Sequence, residues 1–375
     1  MKSDARKKLV YVVSNLEKSL AFEWLADYLH LHFNLTFILL NPASSYFETF
    51  LNERSINYIR ITYRGKKDFF GALAKTVKYF VLSKPDIIHT HLFDAQLVGL
   101  IAAKITGIRQ RIYTRHNSNF HQKYFPSAVK YDKLSNLLAT SIISISQATD
   151  KTLLELEKAP LKKIVKIPHG FKFDAFTNIK QERIEEIRLK WDIPVSGPVI
   201  GVVARQIEWK GIQYTIQAFK KYLFQFPDAC LVMANATGPF QKEIYSRLEE
   251  LPLSAYRLIP FESDIAALYK LFHYYVHVPV DTICEAFGQT YIEALISGIP
   301  SVFTLSGIAS EFLVHRENAW IADFRNVDSI LDGMLELSKN KLLAANIVEK
   351  GRADVMEKFG IDSMFEKLNA LYSYE

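Results

Sequence analysis

Short apolar runs bounded by polar or turn-forming residues alternate, from one end of the chain to the other, with longer stretches whose apolar residues recur at helical spacing. That alternation is the pattern of strands joined by crossover helices, and so of parallel sheets in an α/β protein. In the first half, LVYVV (9–13), LTFILL (35–40), YIRIT (58–62), DIIHTH (86–91), QRIYTRH (110–116) and SIISIS (141–146) are the expected strands, with helices over residues 16–33 and 95–106. Residues 161–168 close this set. After a polar stretch containing the surface-helix pattern QERIEEIRLKW, the alternation restarts with PVIGVVAR (198–205), ACLVMAN (229–235), YRLIPF (256–261), YYVHVPV (274–280) and PSVFTL (300–305). Two runs of alternation predict two sheets in two domains, residues 1–178 and 179–359. The last segment, 360–375, sets Met364, Phe365, Leu368 and Leu371 at helical spacing and is expected to pack back on the first domain.

Composition agrees: 375 residues, 49% hydrophobic and 23% charged, suit two globular domains. The apolar run after Lys2, Arg6, Lys7 and Lys8 is too short for a signal-peptide core, and no apolar stretch reaches the ~18 residues of a membrane span. Cys230 and Cys284 are far apart and lack ligand spacing, which argues against a disulfide framework or structural zinc and suits a reducing compartment. Charge is unevenly spread along the chain. Residues 1–178 carry 26 Lys and Arg against 14 Asp and Glu, net +12, leaving 20 against 26, net −6, for the rest. A basic first domain suits an anionic membrane, a phosphorylated acceptor or nucleic acid, although one basic domain is also common in cytoplasmic proteins. No nucleic-acid reader motif is present and no G-x-G-x-x-G follows a predicted strand, so nucleic-acid binding and nicotinamide chemistry are not expected.

The segment ICEAFGQTYIEALISGIP (283–300) reads as strand end, turn and helix, with Gly298 past the helix and Pro300 before the next strand. Gly288 lies where the turn becomes the helix. The N–H groups of Gly288, Gln289 and Thr290 then point outward at the positive end of the helix dipole, where a diphosphate binds. Glu285, just before the helix, can face a sugar, and Glu293, four residues past Gln289, can accept hydrogen bonds from two ribose hydroxyls. Either acid alone reads equally as an ordinary loop or helix residue; the pair bracketing F-G-x-T is what points to a site. In GVVARQIEWKG (201–211), Arg205 at a strand's end and Lys210 at the next helix's start converge on one anionic group, with Gly211 easing the turn. His116 sits at the carboxyl end of a parallel strand, where open α/β sheets bind ligands. His89 and His91 end another and read as structural or lining residues.

The stretch E-A-F-G-Q-T-Y-I-E-A resembles the E-x7-E signature of the family 4 retaining glycosyltransferases, also known as glycosyl transferases group 1. GVVARQIEWKG is similar to that family's first turn of the second domain, and KPDIIHTHLFDAQLVGLIA (84–102) and RIYTRHN (111–117) to its strand-end loops. ISISQATDKTLL and KIPHGFKFDAF resemble its serine-containing strand end and its P-N-G-V-D-x-x-x-F segment, with His169 in place of Asn. The resemblance implies an α/β GT-B fold, two Rossmann-like domains with parallel sheets facing a central cleft. It implies His116 and Glu285 as catalytic residues at the donor sugar, Arg205 and Lys210 on the donor diphosphate and Glu293 on the ribose. Phe287, Gly288, Gln289 and Thr290 complete the donor site. Where the family carries a Gly-Gly turn after the first strand, this chain has Ser14, Asn15 and Leu16, whose side chains restrict backbone approach. Ser14 and Asn15 are the acceptor-side candidates.

The implied function is retaining transfer of a hexose or N-acetylhexosamine from a nucleotide sugar to a glycan or lipid-linked acceptor, in cell-surface polysaccharide or glycolipid synthesis. The alternative is a non-catalytic nucleotide-sugar-binding or partner subunit. A UDP-sugar is expected ahead of a GDP-sugar, with no cofactor and no metal, since D-x-D is absent and cationic side chains can take a metal's place. YRGKKDFFGALAKTVKYF (63–80) combines Arg64, Lys66, Lys67, Lys75 and Lys78 with Phe69, Phe70, Tyr79 and Phe80. It predicts a cytoplasmic enzyme peripheral at the inner face of an anionic membrane, although an ordinary packed helix with a solvated basic edge fits as well.

Overall fold

The computed structural model describes residues 6–373; Lys2, with the rest of residues 1–5, lies outside them. The chain forms two compact units, Met1–Gly170 with Asp362–Glu375, and Phe171–Ile361. Among the described residues the first unit holds β1 (Lys8–Ser14), β2 (Asn34–Asn41), β3 (Asn57–Thr62), β4 (Ile87–His91), β5 (Gln110–Arg115), β6 (Ser141–Ser144) and β7 (Ile164–Lys166). They make one parallel sheet in the order β3-β2-β1-β4-β5-β6-β7. The second unit holds β8 (Val199–Val203), β9 (Cys230–Ala234), β10 (Tyr256–Ile259), β11 (Tyr274–His277), β12 (Ser301–Phe303) and β13 (Trp320–Ile321), parallel in the order β10-β9-β8-β11-β12-β13. Each strand expected from the sequence has its counterpart. β13 was not expected, because two residues are too few to show a strand pattern.

Both sheets reverse direction of growth at one point, between β1 and β4 and between β8 and β11. The carboxyl ends of these strand pairs are where such sheets receive ligands. Strands covered on both faces must be apolar at nearly every position, and all of β1 after Lys8 is buried. β4 is buried throughout although it reads Ile-Ile-His-Thr-His, so its polar groups need partners inside. His89 finds them: Nδ1 lies 2.6 Å from the Tyr372 hydroxyl and 3.1 Å from that of Tyr11, and Nε2 lies 2.8 Å from Thr114 Oγ1. Tyr372 belongs to the terminal helix Ile361–Ser373, which packs on the first unit through this hydroxyl cluster and through Phe365, stacked 3.7 Å from the Tyr28 ring centre.

The units divide at Gly170/Phe171, ahead of residue 178, because the chain joins the second unit as soon as it reaches Phe171. The Phe171 N–H donates to the Phe359 carbonyl and its own carbonyl accepts from Ile361. Phe176 packs edge-on against Tyr269. QERIEEIRLK forms the helix Gln181–Lys190, bound to the second unit by a bidentate Arg183–Asp264 pair at 2.8 and 2.7 Å. No helix among the described residues is long and apolar enough to cross a membrane.

Candidate active site

In the second unit the reversal point brings two loops together. One leaves β8 through the exposed Arg205 and a short 3-10 turn, Glu208–Lys210, and enters the helix Ile212–Tyr222 at Gly211. Gly211 has φ 75°, and a Cβ there would lie 1.9 Å from the Val278 carbonyl oxygen, so only glycine lets the β8 loop close on the β11 loop. The second loop leaves β11 and ends at Gly288, φ 86°, which caps the helix Gln289–Ile296. Lys210 and Glu285 meet where the loops touch: Nζ donates to Oε1 at 2.5 Å. His277, the last residue of β11, also reaches Oε1, at 3.1 Å from Nε2.

This cluster is buried, and its protonation follows from the contacts. Burial alone would raise the Glu285 carboxyl; Lys210, then His277, outweigh it and hold it at about 2. Burial lowers the imidazole of His277 despite its contact with Glu285, so the ring is neutral at physiological pH. A carboxylate accepts only, which assigns the proton of His277 to Nε2; Nδ1, buried without a partner, is then the unprotonated nitrogen. The Glu285 backbone N–H donates to Ser306 Oγ at 3.2 Å. Neighbouring Gly307, φ 59°, would place a Cβ 2.9 Å from that of Glu285.

Glu293 lies on the second turn of the helix and accepts from the Tyr269 hydroxyl at 2.9 Å. Burial lifts its carboxyl to about 7, with the Tyr269 hydrogen bond opposing. Gln289 is exposed and Thr290 partly so, at the helix start where first-turn N–H groups have no helical acceptor. The Phe287 ring is buried, packed 5.9 Å from Phe359 and 6.4 Å from Phe171. Any donor contact of Phe287 therefore runs through its backbone.

In the first unit, Ser14 is buried and its Oγ accepts from the Ala95 N–H at 3.4 Å, at the start of the helix Phe93–Ile105. Asn15 is exposed at φ 51°, and Asn41 clamps the next residue, accepting from the Leu16 N–H at 3.0 Å and donating to its carbonyl at 2.9 Å. The turn takes the left-handed step usually given to glycine and uses asparagine, which tolerates it. At the ends of β4 and β5, His91 Nδ1 lies 3.0 Å from His116 Nε2, and the His169 ring stacks on His116 at 5.6 Å and 12°. Burial, then the charge of His169, lowers His116 to about 3, and burial lowers His169 to about 4, so this group is neutral. Arg115, just before His116, is buried and donates to Asp132 at 2.8 Å, to Glu157 at 2.5 Å and to the Asn117 carbonyl at 2.7 Å.

The model for "Glycosyl transferases group 1" matches residues 183–354, which contain the whole Lys210–Glu285–Glu293 arrangement, and the model for "Glycosyltransferase Family 4" matches residues 22–174. The chain belongs to the group 1 glycosyltransferases. It is 27% identical over 312 residues to the capsular polysaccharide biosynthesis glycosyltransferase CapM of Staphylococcus aureus, covering 80% of each chain. It is 24% identical over 315 residues to the UDP-Gal:alpha-D-GlcNAc-diphosphoundecaprenol alpha-1,3-galactosyltransferase of Escherichia coli, covering 80% of this chain and 78% of that one. The crystal structure of Anabaena Alr3699/HepE in complex with UDP-glucose superposes with a TM-score of 0.83 at 19% identity, covering 98% of this chain and all of the other. The fold is GT-B, with two Rossmann-like units.

For this group 1 glycosyltransferase, the sequence pointed to Glu285, Lys210 and Glu293 as candidates and did not point to the side chains that hold two of them, His277 and Tyr269. His277 lies in a run that reads as a plain buried strand, YYVHVPV; a histidine at its end was the available signal. Arg115 was passed over beside His116. The structure brings Lys210 to Glu285, whereas Arg205 remains at the surface.

Proposed function

We propose that this glycosyltransferase moves a hexose or N-acetylhexosamine from a UDP-sugar to a lipid-linked or glycan acceptor, with retention of configuration, in cell-surface polysaccharide or glycolipid synthesis. The observation that carries the reading is Lys210 paired to Glu285 beside the Gly288-capped helix start. Cleavage of the glycosyl–phosphate bond puts negative charge on the leaving diphosphate and positive charge on the sugar. Lys210 and the amides of Gln289 and Thr290 offer preorganised positive charge for the first, and the exposed Arg205 on the same loop as Lys210 can add to it without a metal; the Glu285 carboxylate suits the second. Same-face attack, with the leaving phosphate taking the acceptor proton, requires no separate base. His116 is neutral and can hydrogen-bond a sugar hydroxyl. HepE was crystallised with UDP-glucose, and the related Escherichia coli enzyme is named for UDP-galactose and a diphosphoundecaprenol acceptor, which favours uridine and a polyprenyl carrier here. The enzyme would then work at the cytoplasmic face of a membrane.

A thermal-shift panel of UDP, GDP, ADP and their sugars tests the reading. UDP compounds are expected to raise Tm most, and donor turnover is expected to survive EDTA; stabilisation by none of them would sink it.

Glu293 supplies a pH signature. Ribose hydroxyls donate to the ionised carboxylate and lower its pKa, so a group that sits at about 7 in the free protein must release a proton on binding. Nucleotide affinity is expected to rise about tenfold between roughly pH 6 and pH 8, by the population of carboxylate available. Calorimetry in buffers of different ionisation enthalpy reads the released proton, and Glu293→Gln should abolish both effects.

A further inference from the structure

The exposed large side chains of the first unit sort by edge of the sheet. Each crossover helix starts near the carboxyl ends of the strands and finishes near their amino ends. Phe70 stands at the start of the helix Phe69–Ser83 that follows β3, and Tyr46 opens the helix Tyr46–Glu53 that follows β2. Phe125 and Tyr131 follow β5: Phe125 ends the short helix Phe120–Tyr124, and Tyr131 lies in the first turn of the helix Val129–Leu138. All four are exposed, Phe70 at 79%, Phe125 at 54%, Tyr46 at 53% and Tyr131 at 41%. In the order β3-β2-β1-β4-β5 they flank Ser14, His91 and His116 on both sides. At ~4.8 Å per strand, the row spans about 19 Å.

Basic side chains are interleaved with these rings. Arg64, Lys66, Lys67, Lys123 and Lys130 are exposed. Lys18 lies 4.6 Å from the Tyr46 ring centre and Lys130 lies 5.0 Å from that of Tyr131. Among the described residues of these loops (14–19, 42–46, 62–70 and 116–131), Glu17 is the one exposed carboxylate; Asp68 is partly covered and accepts from the Arg64 N–H, and Asp132 is buried against Arg115. Rings that bury an apolar body, beside long cationic side chains, match the headgroup boundary of an anionic bilayer. A nucleic-acid duplex would meet the charges but leave Phe70 and Phe125 without a role; a single strand could stack on them and is told apart by the DNA arm of the test.

We propose that this aromatic and basic rim along the carboxyl edge of the first sheet docks the enzyme on an anionic lipid surface, with the β1/β4 loops between its anchors. The inference rests on the lipid-linked acceptor reading above, and it names the face. Val81, Leu82, Ile105 and Leu137 are also exposed, but they end their helices and so lie at the amino edge. Strands of seven and six residues separate that edge from Ser14 and His116, roughly 20–23 Å at ~3.3 Å per residue. A membrane there would lie behind the site.

Flotation with phosphatidylcholine vesicles, plain or containing roughly one-third phosphatidylglycerol, tests the assignment. The full chain is expected to float with the anionic vesicles at low salt and not with the neutral ones. Phe70→Ser/Phe125→Ser should lower partitioning by about tenfold or more, and Lys66→Glu/Lys67→Glu by roughly 30-fold or more in a salt-dependent way. Leu82→Ser/Ile105→Ser should leave it unchanged. Equal partitioning to both vesicles, or release by the Leu82/Ile105 pair in place of the Phe70/Phe125 pair, would overturn the assignment. So would binding to anionic vesicles and to single-stranded DNA alike that ignores the Phe70/Phe125 exchange, since that is the behaviour of a simple polycation. The acceptor reading is scored separately, by transfer to a short-chain, water-soluble polyprenyl-diphosphate saccharide. The Phe70/Phe125 variant should keep that transfer and lose transfer to acceptor embedded in vesicles. Vesicle binding with no transfer to any polyprenyl acceptor would remove the acceptor reading and leave the surface standing.

Discussion

Glu285→Gln is expected to slow sugar transfer by about 10²–10³-fold, the usual loss when one preorganised charge-stabilising group is removed, while UDP affinity changes by less than roughly threefold. The asymmetry follows from the contacts. Glu285 touches Lys210 and His277, and it is not on the helix turn that carries Glu293. The amide keeps the shape and can still accept from His277, so the fold of the loop is retained; what is lost is a full negative charge beside a developing cationic sugar. Lys210 also loses its counter-charge and becomes a stronger diphosphate ligand, which sets a floor under nucleotide binding. Single-turnover transfer together with UDP titration separates the two quantities. Equal losses in both would mean that Glu285 only holds the loop. His277 gives the internal control: His277→Val removes the hydrogen bond at 3.1 Å and is expected to cost transfer about tenfold, and His277→Gln, whose amide nitrogen can replace Nε2–H, should restore most of it. The pH profile separates Glu285 from Glu293. Glu285, held at about 2 and so below its unfolded value, contributes stability that is present above roughly pH 4.3 and is lost as pH falls through its folded value. It therefore produces no limb in activity near neutrality; any limb near 7 belongs to Glu293.

The architecture was legible because buried parallel strands are continuous apolar runs, and the chain punctuates them clearly. The limits of legibility are just as local. The β1 turn was read as restrictive for want of glycine, yet Asn15 takes the left-handed conformation and Asn41, remote in sequence, pins Leu16 from both sides. Nothing in the stretch Ser14, Asn15, Leu16 announces that clamp. Glu293 and Glu285 were visible as a spacing, but their opposite protonation was not, since it depends on Tyr269 and burial for one and on Lys210 and His277 for the other. Phe287, counted among donor-site residues from its place in the motif, spends its ring on Phe359 and Phe171. Motif position identifies the loop, whereas the direction of each side chain is set by packing that the motif does not contain.

Arg115→Leu is expected to destabilise the first unit by about 3–5 kcal/mol, because it leaves two buried carboxylates without their cation. Burial opposes the guanidinium charge, and Asp132 and Glu157 outweigh it, so Arg115 stays protonated and shares its donors among both acids and the Asn117 carbonyl. Asp132 would keep His121, at 2.7 Å, and Glu157 the side-chain amides of Asn136 and Gln122, at 2.8 Å each, none of them a fixed cation. For a unit of this size the loss corresponds to roughly a 10 °C drop in Tm, which calorimetry should show in the transition of the first unit and not of the second. The same network also fixes where His116 sits, one residue beyond Arg115 and one before the carbonyl that Arg115 holds. Arg115→Lys distinguishes the two duties. An ammonium keeps the charge and can satisfy one acid, so much of the stability should return, but it lacks the fixed fork that reaches Asn117 at the same time. Transfer should then remain depressed after stability has recovered. If Arg115→Lys restores both together, the network is only a brace for the fold; if it restores stability alone, the buried arginine is what keeps the His116 loop in register with the end of β5.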